Sequence, residues 1–73
     1  METDDTILKV GHIIKFARAK KKITMEQLVE LTGISKSTIA KTEKGTANPA
    51  FISIYIICKV LDIDMGAFNN FQL

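Results

Sequence analysis

Small and basic side chains recur at helical spacing between positions 36 and 44. On a helix, positions i, i+1, i+4, i+5 and i+8 share one side, and here they are occupied by Lys36, Ser37, Ala40, Lys41 and Lys44. Lysine can donate to guanine O6 and N7, serine can donate or accept, and an alanine methyl can touch a thymine methyl. A helix with this side exposed can therefore enter the major groove of B-DNA without steric or charge penalty.

The helices on either side of this segment must position it, and helices 2 and 3 have the clearest boundaries. Thr24 and Gln27 have the spacing of a capping box, and Gly33 can end helix 2 in the left-handed conformation. Ser35 can cap helix 3, which ends at Lys44-Gly45. A connection of about three residues makes the two helices cross steeply, as in a helix-turn-helix. The residues expected to be buried there are Leu28, Leu31, Ile34 and Ile39.

The remaining helices follow from apolar residues at 3.6-residue spacing. Helix 1 is expected from Asp5 or Thr6 to Lys20 or Lys21, and its inner stripe is Ile7, Val10, Ile14 and Ala17. Asn48-Pro49 predicts an N-cap and a first-turn proline for helix 4, which should run to about Leu61. Asp64 can cap a short helix 5.

The charge distribution also favours a nucleic-acid partner. The net charge is only +2, but residues 6–48 hold nine Lys or Arg and three Glu, a net charge of +6. A basic centre between acidic ends suggests a directed electrostatic face. For Lys36 and Lys41 the plainer alternative is ordinary solvated lysines, and the helix-turn-helix context favours DNA contact, with bases over phosphates. For Lys20–Lys22, a solvated helix end is favoured over phosphate contact.

Several classes of protein and site have little support in the sequence. One cysteine, Cys58, and one histidine, His12, give no disulfide and no Cys/His zinc site. No nucleophile–base pair is apparent, so we expect no enzyme, no cofactor and no small-molecule ligand. No apolar run has the length of a membrane span, and the acidic start is unlike a signal peptide, so a cytoplasmic protein is expected. His12 is predicted at the surface and Cys58 in the core.

Residues 11–68 resemble the phage repressor/Cro-like (XRE-type) DNA-binding domains. The matching features are Arg18, the blocks ITMEQLVELTGIS and STIAKTEKG, then Pro49 and VLDID. The resemblance implies an all-α, compact five-helix bundle of the lambda repressor-like kind. It divides the chain into a flexible acidic N-terminus at 1–5, a domain at 6–70 with the helix-turn-helix at about 24–43, and a tail at 71–73.

The resemblance also implies roles for individual residues. Helix 3 becomes the recognition helix, in which Lys36, Ser37 and Lys41 read bases with Ala40 beside them. The phosphate contacts it implies are Ser35, Thr38, Lys44 and Thr46. Arg18 and Glu43 match an ion pair that holds helix 1 against helix 3. One departure is Met25, where the family usually has a glutamine that contacts a phosphate and a neighbouring side chain. We therefore expect that side-chain contact to be lost.

Helix 4 is apolar nearly all round, which predicts that it is buried nearly all round. Its core side is expected to be Phe51, Ile54, Ile57, Cys58 and Leu61. Ile52 and Ile56 then point away, so we predict a homodimer through them, with Phe68 and Phe71 included. The alternative is that the tail folds back over helix 4.

Two functional hypotheses follow from these patterns. The first is a dimeric, sequence-specific transcriptional regulator, mainly a repressor, that binds a palindromic operator in double-stranded DNA and is nucleoid-associated in a prokaryotic or phage-type context. The second is a protein-interaction adaptor, of the antitoxin or anti-repressor type, that binds a protein partner through helix 4.

Overall fold

The computed structural model describes the backbone of residues 2–64 and the side chains of residues 6–64. In that range the chain forms four α-helices and no strand: α1 Glu2–Lys20, α2 Met25–Thr32, α3 Lys36–Lys44 and α4 Phe51–Leu61. α1 packs against α3 and α4, and α2 packs against the same two helices. The all-α prediction is confirmed for these residues. They hold four helices rather than five, and the helix expected after Asp64 lies outside the described range.

Each helix contributes to one apolar core. The buried residues are Ile14 of α1, Leu28 of α2, Ile39 of α3, and Ile57 and Leu61 of α4. Burying each such side chain is worth about 1.5–3 kcal/mol relative to leaving it in water. This core fixes the side of α3 that faces inward, and therefore the side that faces solvent.

The lone cysteine and the lone histidine lie where the sequence predicted. Cys58 is buried in α4, and this burial raises the pKa of its thiol. His12 is exposed on α1.

α1 begins earlier than predicted, at Glu2 rather than at Asp5 or Thr6. The acidic residues expected to form a flexible N-terminus are therefore part of its first turn. Negative charge is favourable there because it opposes the positive end of the helix dipole. The end of the helix at Lys20 agrees with the prediction.

Local hydrogen bonds set the boundaries of α2 and α3. The Thr24 hydroxyl accepts from the Gln27 N–H at 3.0 Å, and the Gln27 side chain accepts from the Thr24 N–H at 2.8 Å, which completes the capping box. Gly33 ends α2 with φ +76°, and Gly45 ends α3 with φ +74°. Ser35 caps α3 by accepting from the Thr38 N–H at 3.2 Å. These predicted boundaries are confirmed.

The predicted start of α4 is wrong by two residues. The N-cap is Ala50, which has extended backbone angles and makes no side-chain cap hydrogen bond, and Phe51 is the first helical residue. Pro49 therefore precedes the helix instead of occupying its first turn, and Asn48 does not cap it.

Two residues predicted to be buried are exposed. Leu31 is 58% exposed because the inner side of α2 is formed by Met25, Leu28 and Val29, and Leu31 lies off that stripe. Phe51 is 74% exposed because it stands in the first turn of α4, where no described residue covers it. Ile54, Ile57, Cys58 and Leu61 do face the core as expected.

Gly11 is a point of close approach between α1 and the end of α3. A Cβ atom placed on Gly11 would collide with the carbonyl oxygen of Thr42 and would lie 2.7 Å from that of Glu43. Both carbonyl oxygens belong to the backbone, so neither can move away unless α3 itself shifts. Only glycine permits this approach between the two helices.

Candidate nucleic-acid interface

α3 has one buried side and one exposed side. Ile39, Thr42 and Glu43 are buried, and the Thr42 hydroxyl donates to the Thr38 carbonyl at 2.7 Å, which satisfies a polar group inside the domain. The exposed side carries the residues identified from the sequence: Lys36, Ser37, Lys41 and Lys44 are exposed, and Ala40 is half-buried between them. The helix therefore presents a small, basic surface to solvent.

The hydroxyl groups at the start of α3 bond to one another. The Ser35 hydroxyl donates to Thr38 Oγ1 at 2.9 Å while it accepts from the Thr38 N–H. This arrangement leaves the Thr38 O–H free to donate outward, since a hydroxyl has one donor proton. At the other end, the exposed Thr46 hydroxyl donates to the Lys41 carbonyl at 3.3 Å, which ties the following loop to α3.

Arg18 and Glu43 fix α1 against α3. Arg18 Nε donates to Glu43 Oε2 at 2.7 Å, and a terminal guanidinium nitrogen donates to Oε1 at 3.0 Å. A third donor of Arg18 reaches the Ile23 carbonyl at 3.0 Å, so the same side chain also anchors the end of the α1–α2 connection. The hydrogen bond with Glu43 raises the pKa of Arg18. The bidentate geometry is directional, so it holds α3 at a defined angle.

A second ion pair, which the sequence reasoning did not identify, connects α2 to the first residue of α3. Lys36 Nζ lies 2.8 Å from Glu26 Oε2, and both side chains are mostly exposed. The hydrogen bond from Lys36 lowers the pKa of Glu26. Met25 packs against the core, and the residue after it, Glu26, makes this side-chain contact with α3.

A cleft of about 400 Å³ lies beside the Arg18–Glu43 pair, between α1 and the exposed side of α3. His12 and Lys15 of α1 line it together with Lys44 of α3. The sequence assigned no role to Lys15, because its position relative to α3 depends on how the two helices cross. The cleft extends the basic surface from α3 onto α1.

The residues predicted to form a dimer interface lie elsewhere. Ile52 is 60% exposed on α4, and Ile56 is half-buried beside it. Phe51 and Tyr55 add to the same side, with exposures of 74% and 43%. We call these four residues the α4 apolar face. Phe68 and Phe71, the other predicted interface residues, lie outside the described range.

From residue 6 to residue 64, no three His, Cys, Asp or Glu side chains are grouped so that they could hold a metal ion. None of the four helices between residues 2 and 64 combines the length and the hydropathy of a membrane span.

Comparison with known proteins identifies the architecture independently. A family model described as helix-turn-helix matches residues 14–68, about three quarters of the 73 residues. No curated protein matches the chain significantly. The matched region contains the last seven residues of α1, all of α2, α3 and α4, and both ion pairs in which α3 takes part.

Proposed function

This chain belongs to the Cro/XRE-type helix-turn-helix family of DNA-binding regulators, and we propose that it is a sequence-specific transcriptional repressor. In this proposal it binds a palindromic operator as a homodimer, with α3 as the recognition helix. It acts on chromosomal or phage DNA in the cytoplasm of a prokaryotic-type cell.

One observation carries the proposal. The exposed side of α3 has only small or basic residues, and the acid of that helix, Glu43, is buried and neutralised by Arg18. A major groove is flanked by negatively charged phosphates and its base edges carry many acceptors, so positive charge and hydrogen-bond donors favour a helix that enters it. The α3 surface meets both requirements.

We assign base contacts to Lys36, Ser37, Ala40 and Lys41, which share the side of α3 that faces away from the core. The phosphate contacts are assigned to Ser35, Thr38, Lys44 and Thr46. To donate to a phosphate, the Ser35 and Thr46 hydroxyls exchange their internal acceptors, Thr38 Oγ1 and the Lys41 carbonyl, for a phosphate oxygen. The outward O–H of Thr38 and the ammonium group of Lys44 are suited to phosphate oxygens. Phosphate neutralisation supplies much of the affinity, so binding falls steeply as salt rises.

The α4 apolar face supports a homodimer. Phe51 and Ile52 are exposed by 74% and 60%, which is unusual for adjacent large apolar residues on a small domain. A two-fold dimer through Ile52 and Ile56 would bury this surface and present two α3 helices to half-sites about 34 Å apart. The operator is then a palindrome that matches the symmetry of the protein.

Selection of bound sequences from a random duplex pool tests the proposal. The expected result is a palindromic consensus with half-sites separated by about one helical turn. Lys36→Ala with Lys41→Ala should abolish the preference for that consensus while the protein stays folded. A pool that shows no enrichment at moderate salt would contradict the proposal.

The α4 apolar face also supports the second candidate function, an adaptor that binds a protein partner of the antitoxin or anti-repressor type. The same double variant separates the two functions. If it leaves affinity for the consensus and for the promoter of its own gene unchanged, α3 is not the working surface and the adaptor function is favoured.

A further inference from the structure

Glu26 is placed where a DNA-binding surface would ordinarily avoid an acid. It lies in the first turn of α2, and its carboxylate accepts from Lys36 Nζ at 2.8 Å. Lys36 is the first residue of α3. A free carboxylate beside that position would repel phosphates and weaken binding to any DNA.

Stability does not explain this ion pair. The side chains of Lys36 and Glu26 are 63% and 70% exposed. Pairs as exposed as this contribute little to folding, because water screens the charges and two long side chains lose freedom. We therefore infer that the pair affects how Lys36 binds at the protein surface and not how stable the fold is.

The pair restricts where the Lys36 ammonium group can lie. A lysine side chain has four rotatable bonds, and without a partner it can reach phosphates as readily as bases. Glu26 holds one of the three ammonium donors, which leaves two for an outside acceptor. Guanine presents two acceptors, O6 and N7, on its major-groove edge.

We propose that Glu26 is a positioning residue that sets the sequence specificity of Lys36. It holds the ammonium group toward the base edges, and its own charge disfavours the alternative in which Lys36 binds a phosphate. Sequence specificity thus increases in two ways: the contact of Lys36 with a base is favoured, and its contact with a phosphate is disfavoured. This inference rests on the proposed function, because it assumes that α3 reads bases.

The test is the specificity ratio, defined as the Kd for a scrambled duplex divided by the Kd for the selected consensus duplex. It is measured for the natural protein, Glu26→Ala, Lys36→Ala and the double variant. We expect Glu26→Ala to bind scrambled DNA more tightly and to lower the ratio by about tenfold, the effect of losing one good base contact. In the Lys36→Ala background, Glu26→Ala should leave the ratio unchanged.

Glu30→Ala is the matched control. Glu30 is another exposed acid of α2, one helical turn from Glu26 and not the partner of Lys36. Its removal should raise affinity for both duplexes by the same factor. A repeated selection should also show that Glu26→Ala and Lys36→Ala relax the base preference at the same position of each half-site. A merely structural role for Glu26 would not produce that shared change.

These measurements distinguish an error in the proposed function from an error in the proposed role of Glu26. If the natural protein selects no sequence, the proposed function is wrong. If it selects a consensus but Glu26→Ala changes both affinities equally, as Glu30→Ala does, the function stands and the role of Glu26 is wrong.

Discussion

Arg18 and Glu43 are joined by two hydrogen bonds, of 2.7 and 3.0 Å, across 25 positions of the sequence. The Glu43 side chain is only 5% exposed and that of Arg18 is 17% exposed. The pair therefore does two things at once. It fixes the angle of α3 and removes a negative charge from the surface that we propose meets DNA.

Removal of one member of this pair should be costly. Glu43→Ala leaves the Arg18 guanidinium without its carboxylate, and we expect the free energy of unfolding to fall by about 3 kcal/mol. Urea denaturation followed by circular dichroism measures the change. Replacement of both residues by apolar ones, Arg18→Met with Glu43→Leu, should recover most of the loss. A single variant as stable as the natural protein would show that the pair is unimportant for folding.

Gly11→Ala should destabilise the domain even though alanine is the better helix former. The added methyl would meet backbone oxygens of Thr42 and Glu43, so α1 and α3 must separate. We expect a loss of about 2 kcal/mol, typical of overpacking. Ala19→Gly, the reverse change at an exposed position of α1, should cost only about 1 kcal/mol through helix propensity. Equal stability of Gly11→Ala and the natural protein would rule out the close approach.

Lys41→Ala and Lys44→Ala should have different effects on DNA binding. Lys41 is assigned to a base, so its loss should relax the preference at one position of each half-site. Lys44 is assigned to a phosphate, so its loss should weaken binding to all sequences and lower the salt slope by about 1 per contact. Affinity measured over a range of salt, with consensus and scrambled duplexes, separates these outcomes. Identical behaviour of the two variants would contradict the assignment.

Ile52→Glu should prevent dimerisation while the monomer remains folded. Ile52 is 60% exposed, so the substitution disturbs no core packing, but it would bury a charge in the proposed interface. Sedimentation should report a monomer. The affinity for the palindrome should fall, and the two half-sites should be occupied independently of each other. Leu31→Glu is the matched control, because Leu31 is similarly exposed at 58% but lies on α2. A dimer that survives Ile52→Glu and dissociates with Leu31→Glu would move the interface to α2.

The Glu26 carboxyl should titrate below its ordinary pKa of 4.5, because Lys36 donates a hydrogen bond to its charged form. A pKa that is lower in the folded state contributes stability above about pH 4.5, and this contribution is lost as the pH falls through the folded pKa. NMR titration of the carboxyl carbon measures the value. Lys36→Ala should raise it toward 4.5, whereas Lys41→Ala should leave it unchanged. The same midpoint in the natural protein and in Lys36→Ala would show that the pair does not persist in solution.

The sequence by itself determined the helix-turn-helix and its boundaries. The capping box of Thr24 and Gln27, the Ser35 cap, and the left-handed Gly33 and Gly45 were all predicted correctly. Each depends on hydrogen bonds or backbone angles within four residues, so the local residue types are sufficient. The prediction of an Asn48 cap was wrong, because α4 begins after Ala50, which makes no side-chain cap hydrogen bond that a sequence pattern could reveal.

The tertiary structure alone decided which side chains meet across helices. Leu31 and Phe51 were expected to be buried, but Leu31 lies off the inner stripe of α2 and no described residue covers Phe51 in the first turn of α4. Glu26 and Lys36 are ten positions apart, and nothing local marks them as partners. They meet because the turn at Gly33 sets the crossing of α2 and α3, and helix crossing angles depend on the whole core.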